Sequence, residues 1–150
     1  MKKLALVALT LCALLPGAAR GQDKAADAAA QQNARGAALI KEGKFEEAAA
    51  ELEKAAGASP KSAVIQSNLA YAYDRQGRVE EAVAAYRKAL ELDPANAIVR
   101  NNLANLYSKQ GNYDDAAKEF EDLVQRDPGN ATAKASLESA LKNKTIAQDK

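Results

Sequence analysis

Three acidic doublets, Glu46-Glu47, Glu80-Glu81 and Asp114-Asp115, are the residues best suited by type to acid/base chemistry. Two carboxylates can divide general acid and base duties when their environments push the two pKa values apart. Adjacent positions on a helix, however, point about 100° apart. Each doublet also falls at the expected start of a helix, where the positive end of the macrodipole favours a carboxylate by roughly 0.3–1 kcal/mol. The dipole role accounts for the doublets without catalysis. Other catalytic chemistry lacks its parts: the 150 residues contain no His and no Trp, and the one cysteine, Cys12, lies in the leading apolar segment. Zinc sites built from Cys and His, Ser-His-Asp triads, cysteine nucleophiles and disulfide frameworks are thereby excluded. No cofactor and no metal are expected. A formal net charge of +1 argues against a nucleic-acid partner, which calls for a basic excess or patch. Of the five tyrosines, Tyr73, Tyr86, Tyr107 and Tyr113 fall on apolar stripes and are expected in the core, which leaves Tyr71 for the surface.

A second set of residues offers hydrogen bonding instead. On a helical wheel Ile98, Asn101, Asn102, Asn105 and Lys109 share one face, and Val64, Ser67, Asn68, Tyr71 and Arg75 share another. Asn33, Ala37, Ile40 and Lys41 form the corresponding face nearer the N-terminus. Asn is a poor helix former, and these asparagines have no capping duty. An Asn amide both donates and accepts, so a row of them can read the backbone of an extended peptide. Plain solvated surface is the alternative. The candidate partner-binding residues are Asn68, Tyr71, Arg75, Asn101, Asn102, Asn105 and Lys109.

The elements that must position these residues come from an internal repeat. Gly43, Gly77 and Gly111 are spaced by 34, as are Pro60, Pro94 and Pro128, and Ala48, Ala82 and Ala116. The acidic doublets and the set Leu52, Tyr86, Phe120 share that interval. Ser62, Asn96 and Asn130 stand where a side-chain oxygen can cap a helix. A first helix of some fourteen residues then runs to each Gly, which can take the left-handed conformation that turns the chain. A second helix begins at the acidic doublet and ends before Pro, because the residue preceding Pro is pushed out of helical geometry. Each unit is a helical hairpin with one apolar side, and stacking buries that side. With 36 Ala and 5 % aromatics, the helices are expected to pack closely.

Leu69, Ala70, Tyr73, Gly77, Ala82, Tyr86, Ala89 and Pro94 resemble the pattern of the tetratricopeptide repeat (TPR) family. Leu103, Ala104, Tyr107, Gly111, Tyr113, Ala116, Phe120 and Pro128 resemble it again. Val79, Leu123, Gln66 and Arg100 depart from the pattern, the last two at a site where the family often has Trp. The first unit keeps Gly36, Gly43, Phe45, Ala48, Leu52, Ala55 and Pro60, with Arg35 and Leu39 in place of the expected Leu and Tyr. The resemblance implies an all-α, right-handed α-α superhelix of three TPR hairpins, 29–62, 63–96 and 97–130, plus a C-terminal capping helix over 131–143. A leader over 22–28, which either extends the first helix or forms a short disordered stretch, and a fraying polar tail over 144–150 complete the chain. By resemblance the first-helix faces line a concave groove that binds peptides or partner helices. The dicarboxylate clamp by which some members hold chaperone C-termini uses Lys, Asn, Asn, Lys and Arg. Asn68 matches one of these, but Asn33, Ala37, Ile98 and Asn102 stand at the others, so that subtype is not expected.

Lys2 and Lys3, the apolar run Leu4–Leu15 and the small residues around Ala19 and Gly21 have the layout of a secretory signal peptide over residues 1–21. The run falls short of the roughly 20 residues a membrane span needs. Cleavage fits after Gly21 or after Ala19; after Gly21 it removes Lys2, Lys3 and Arg20 from 21 basic residues and none of the 20 acidic ones, leaving a mature charge near −2. The expectation is a non-catalytic protein-interaction adaptor, periplasmic or secreted. It would serve a bacterial envelope assembly or secretion complex and bind a protein or peptide, with no nucleic acid and no stable membrane insertion. A structural, homo-oligomeric TPR protein is the alternative.

Overall fold

The structure, a computed structural model, describes residues 16–148, with side chains from Lys24 onward. The expected signal segment therefore lies largely outside the described residues. Seven helices follow one another with no strand among the described residues: α1 (Pro16–Lys41), α2 (Phe45–Ala58), α3 (Ala63–Gln76), α4 (Val79–Leu92), α5 (Ala97–Lys109), α6 (Tyr113–Arg126) and α7 (Ala131–Gln148).

Local chemistry sets these boundaries. Ser62 Oγ accepts from the Ile65 amide at 3.4 Å, Asn96 Oδ1 from Val99 at 3.1 Å and Asn130 Oδ1 from Ala133 at 2.9 Å. Caps of this kind contribute about 0.5–2 kcal/mol each. Gly43, Gly77 and Gly111 have φ of 76°, 74° and 74°, the left-handed geometry that lets one helix turn into the next. The acidic doublets occupy the first turns of α2, α4 and α6. Ser59, Asp93 and Asp127 leave helical geometry just before the prolines.

Within each hairpin the helices meet through small residues. Ala48, Ala70, Ala82, Ala104 and Ala116 are fully buried, and Leu52, Tyr86 and Phe120 fill the wider space at one common repeat position. Gly36 takes this further, since a Cβ there would lie 2.5 Å from Leu52 Cγ. At the two departures from Trp, Gln66 is buried, while Arg100 reaches across from α5. Its guanidinium pairs with Glu119 at 2.6 Å and Asp122 at 2.9 Å on α6, and donates to the Pro94 carbonyl at 3.0 Å. First helices of successive hairpins touch, α1 with α3 and α3 with α5, whereas second helices do not approach one another comparably. The array therefore curves with its first helices inside.

The leader 22–28 extends the first helix, one of the two forms open to its Ala-rich stretch, a short disordered leader being the other. Two expectations change, at the tail and at Tyr113. The tail is helical to Gln148 rather than frayed from Asn143: Lys144 pairs with Asp114 of α6, and Thr145 Oγ1 donates to the Leu141 carbonyl at 3.1 Å. Tyr113 is half-buried rather than in the core, because it opens α6 at the chain's turn. No helix among the described residues is long and apolar enough to cross a membrane.

Candidate functional site

The seven candidate residues sit on α3 and α5, the middle helices of the inner face, but they do not form one uniform row. Asn68 Nδ2 donates to Asn33 Oδ1 of α1 at 2.9 Å, so this asparagine is committed to holding two first helices together. The sequence reading gave the set no structural duty, and Asn68 is a correction to that. Its bond is part-buried and worth about 0.5–1.5 kcal/mol. Tyr71 is half-buried and meets the Phe45 ring edge-on, with centroids 6.4 Å apart at 72°. The Arg75 guanidinium lies 4.9 Å from the Phe45 centroid, and its Nη1 donates to Tyr71 Oη at 3.4 Å. The three form a rigid cationic-aromatic platform at the first seam.

On α5 the asparagines diverge. Asn101 lines a shallow depression of about 330 Å³ with Ile98, Leu123, Asn130 and Thr132. Asn105 lines a second, of about 320 Å³, whose other walls include Ser108, Ser136, Ser139 and Asn143, with Phe120 also contributing. Lys109 Nζ stands 3.6 Å from Asp74 Oδ1 and so bridges α5 back to α3. Asn102, half-buried, approaches the Tyr86 hydroxyl closely enough to favour its ionised form. The pair does not meet hydrogen-bond geometry, however, and Tyr86 Oη is left buried without a partner. Burial first, then the Asp74 carboxylate, pushes the Tyr86 phenol well above its usual range, so it stays protonated and able to donate.

Ser136, Ser139 and Asp74 were missed on the sequence. Carrying the 34-residue register one step further finds the first two, since Ser136 follows Asn102 and Ser139 follows Asn105 at that interval. Asp74 carries no such signal. The acidic doublets remain at helix starts, and the carboxyl of Glu81 is held below the usual range by its own backbone amide and then by Arg78. That is the opposite of what a general acid needs. Among the described residues no three His, Cys, Asp or Glu side chains gather in a way that could hold a metal ion.

A depression of about 540 Å³ lies away from this face, between α1 and α2. Arg35, Leu39 and Glu42 line it, and one repeat later the same positions are Leu69, Tyr73 and Gln76, which carry the preceding hairpin. Among the described residues no further hairpin stacks on this side of the unit.

Two family models, each described as tetratricopeptide repeat, match residues 33–97 and 75–141. No curated protein matches the chain. Among solved structures, the second TPR domain of human RPAP3, determined with the HSP70 peptide SGPTIEEVD, is 26 % identical with a TM-score of 0.70, covering 80 % of this chain and 98 % of that one. The Arabidopsis OM64 TPR domain is 21 % identical with a TM-score of 0.73, over 79 % of this chain and 98 % of that one. MamA is 23 % identical with a TM-score of 0.75, over 87 % and 78 %. Hairpin repeats with left-handed glycines, small residues at the close approaches and these matches together place residues 33–141 of the chain in the tetratricopeptide repeat family.

Proposed function

We propose that this protein is a non-catalytic adaptor that binds an extended peptide across its inner face. The observation that carries the reading is the run of half-exposed hydrogen-bonding side chains at equivalent positions of successive first helices: Asn68 and Asn102 at one, Tyr71 and Asn105 at the other. An extended peptide presents unpaired N–H and C=O groups along its length, and amide side chains match both. The RPAP3 domain binds a peptide ending in acidic residues. Here Asn33, Ile98 and Asn102 occupy the places where a carboxylate clamp needs cations, so the reading is of backbone rather than of a charged terminus. Export to the periplasm, and service in a bacterial envelope assembly or secretion complex, are part of the proposal and rest on residues 1–21 alone. Self-association through the α1–α2 end is the second reading, and light scattering across a concentration series separates it.

The test uses a fluorescein-labelled peptide selected on the purified chain from a random peptide library. Asn102→Ala with Asn105→Ala is the informative pair, because Asn68 also carries the bond to Asn33. The expected result is an unchanged melting temperature and affinity weakened roughly tenfold, about 1.4 kcal/mol. Full affinity in that variant, with loss on charge reversal of Lys118 and Glu121, would move the working surface to the outer face. Glu119 is left out of the reversal because it is tied to Arg100.

A further inference from the structure

Val64 and Ile98 stand at the same position of successive repeats, and they are 61 % and 74 % exposed. Exposed apolar side chains scattered singly are ordinary. These two recur one repeat apart, in the first turns of α3 and α5, helices that touch. Both are β-branched, which a helix does not favour, and neither belongs to the core. What lies further along their helices gives them a context. Steps of four, seven and eleven residues lead from Val64 to Asn68, Tyr71 and Arg75, and from Ile98 to Asn102, Asn105 and Lys109. Eleven residues make three turns, so each set forms a stripe along one side of its helix, about 16 Å from end to end. The two stripes carry the same order: an aliphatic residue, two hydrogen-bonding residues and a cation. Their ends stand exposed while their middles are half-buried, so the surface dips between an apolar edge and a cationic one.

A cation in the last turn suits the helix dipole, but the dipole sets neither the side of the helix nor the aliphatic residue three turns earlier. Asp74 is the one carboxylate on α3 and α5, and Lys109 stands 3.6 Å from it. Arg75 lies over the Phe45 ring rather than against a carboxylate. On the second helices the balance is reversed, α6 alone carrying five carboxylates against two cations. The inner side of the array is thus left positive along one edge. We infer that the bound peptide is an internal, extended segment with aliphatic side chains along one edge and carboxylates along the other. This rests on the inner-face reading above and names the chemistry of its ligand. Successive side chains of an extended chain point to opposite sides. A segment that alternates aliphatic and acidic residues therefore turns the first kind to Val64 and Ile98 and the second to Arg75 and Lys109, while its backbone passes over the asparagines between them.

The experiment sequences the peptides selected on the purified chain and reads the anisotropy of the fluorescein-labelled best binder on wild type, Val64→Thr/Ile98→Thr, Arg75→Gln/Lys109→Gln and Asn102→Ala/Asn105→Ala, with thermal melts of all four. Threonine keeps the β-branched shape, so the first variant is expected to melt with wild type. The selected sequences should alternate aliphatic and acidic residues, and a permutation of the best binder with the two kinds in separate blocks should bind roughly tenfold more weakly or worse. Val64→Thr/Ile98→Thr should weaken binding roughly tenfold and keep its salt dependence, whereas Arg75→Gln/Lys109→Gln should flatten that dependence. A NaCl series on wild type checks the cationic edge without disturbing the Lys109–Asp74 pair, and an affinity that does not fall with salt overturns that edge. Selected sequences without the alternation, or an affinity kept in Val64→Thr/Ile98→Thr and lost in the double Asn variant, overturn the two-edged ligand and leave the inner-face reading standing. Self-association of wild type in light scattering that Val64→Thr/Ile98→Thr abolishes gives the apolar edge to a second copy and overturns it too. A peptide indifferent to all three variants, or a library that yields none, overturns the inner-face reading and this inference with it.

Discussion

The two seams between hairpins share a backbone design and close it with different chemistry. At the first, Tyr73 Oη of α3 donates to Glu53 Oε1 of α2 at 2.8 Å, and Arg78 lies 4.2 Å from the Tyr73 ring centroid. At the second, the residue one repeat after Glu53 is Arg87, and the bond reverses: Arg87 Nε donates to Tyr107 Oη at 3.0 Å. A phenol can donate or accept, so the repeat fixes where a contact falls and leaves its sign free. The seams also differ in closeness. Ala72 stands at the first where Leu106 stands at the second, both buried, and α3 lies in more extensive contact with α2 than α5 does with α4. The first seam is further sealed by Gln76 Nε2 donating to the Phe45 carbonyl at 2.9 Å and by the bond between Asn33 and Asn68. The second has the long Lys109–Asp74 pair and an unpartnered tyrosine hydroxyl. One seam is spent on holding the fold, while the other keeps hydrogen-bonding capacity in reserve.

The comparison breaks most visibly if the seams are forced to exchange size. Leu106→Ala should cost about 2–5 kcal/mol through the cavity it opens, and Ala72→Leu about 1–3 kcal/mol through overpacking, both read from urea unfolding. Small effects from both would mean that the seams are interchangeable. Gly36→Ala tests the same logic inside the first hairpin. The helix preference for Ala is worth up to about 1 kcal/mol, yet the new methyl would meet Leu52, so a net loss of about 1–2 kcal/mol is expected, recovered when Leu52 is trimmed to Val. A net gain would show that α1 can withdraw from α2 at little cost.

The finest prediction concerns the reversed bond. Burial, then the hydrogen bond to Glu53, pushes the Tyr73 phenol up to about 12 from its ordinary 10.0. Its folded pKa is raised, so its contribution to stability is complete below pH 10 and is lost as the pH climbs through about 12. Tyr107 is also raised, by burial, but Arg87 acts against the rise. Glu53→Gln should therefore lower the Tyr73 pKa and Arg87→Gln should raise that of Tyr107, as followed by phenolate absorbance. Shifts of the same sign in the two variants would show that the seams are not mirror images in charge.

The part of the structure governed by local rules can be read from the residues alone. The 34-residue interval, the caps at Ser62, Asn96 and Asn130, the three left-handed glycines and the Ala close approaches were all legible, because each depends on backbone geometry within a few residues or on a period that repeats. The helical wheel likewise placed Asn68, Asn102 and Asn105 on one side of their helices. A wheel gives azimuth and not depth, and it says nothing of what stands opposite. Packing between helices is what spends Asn68 on Asn33, lays Arg75 over Phe45 and sets Tyr73 and Tyr107 against opposite charges. The same holds for the Tyr86 hydroxyl, which has no partner at all. These outcomes rest on how near one helix comes to the next, and that distance is set by side chains some 20 to 35 residues away along the chain. No local rule sums over such a separation, so the packing of neighbouring hairpins settles it.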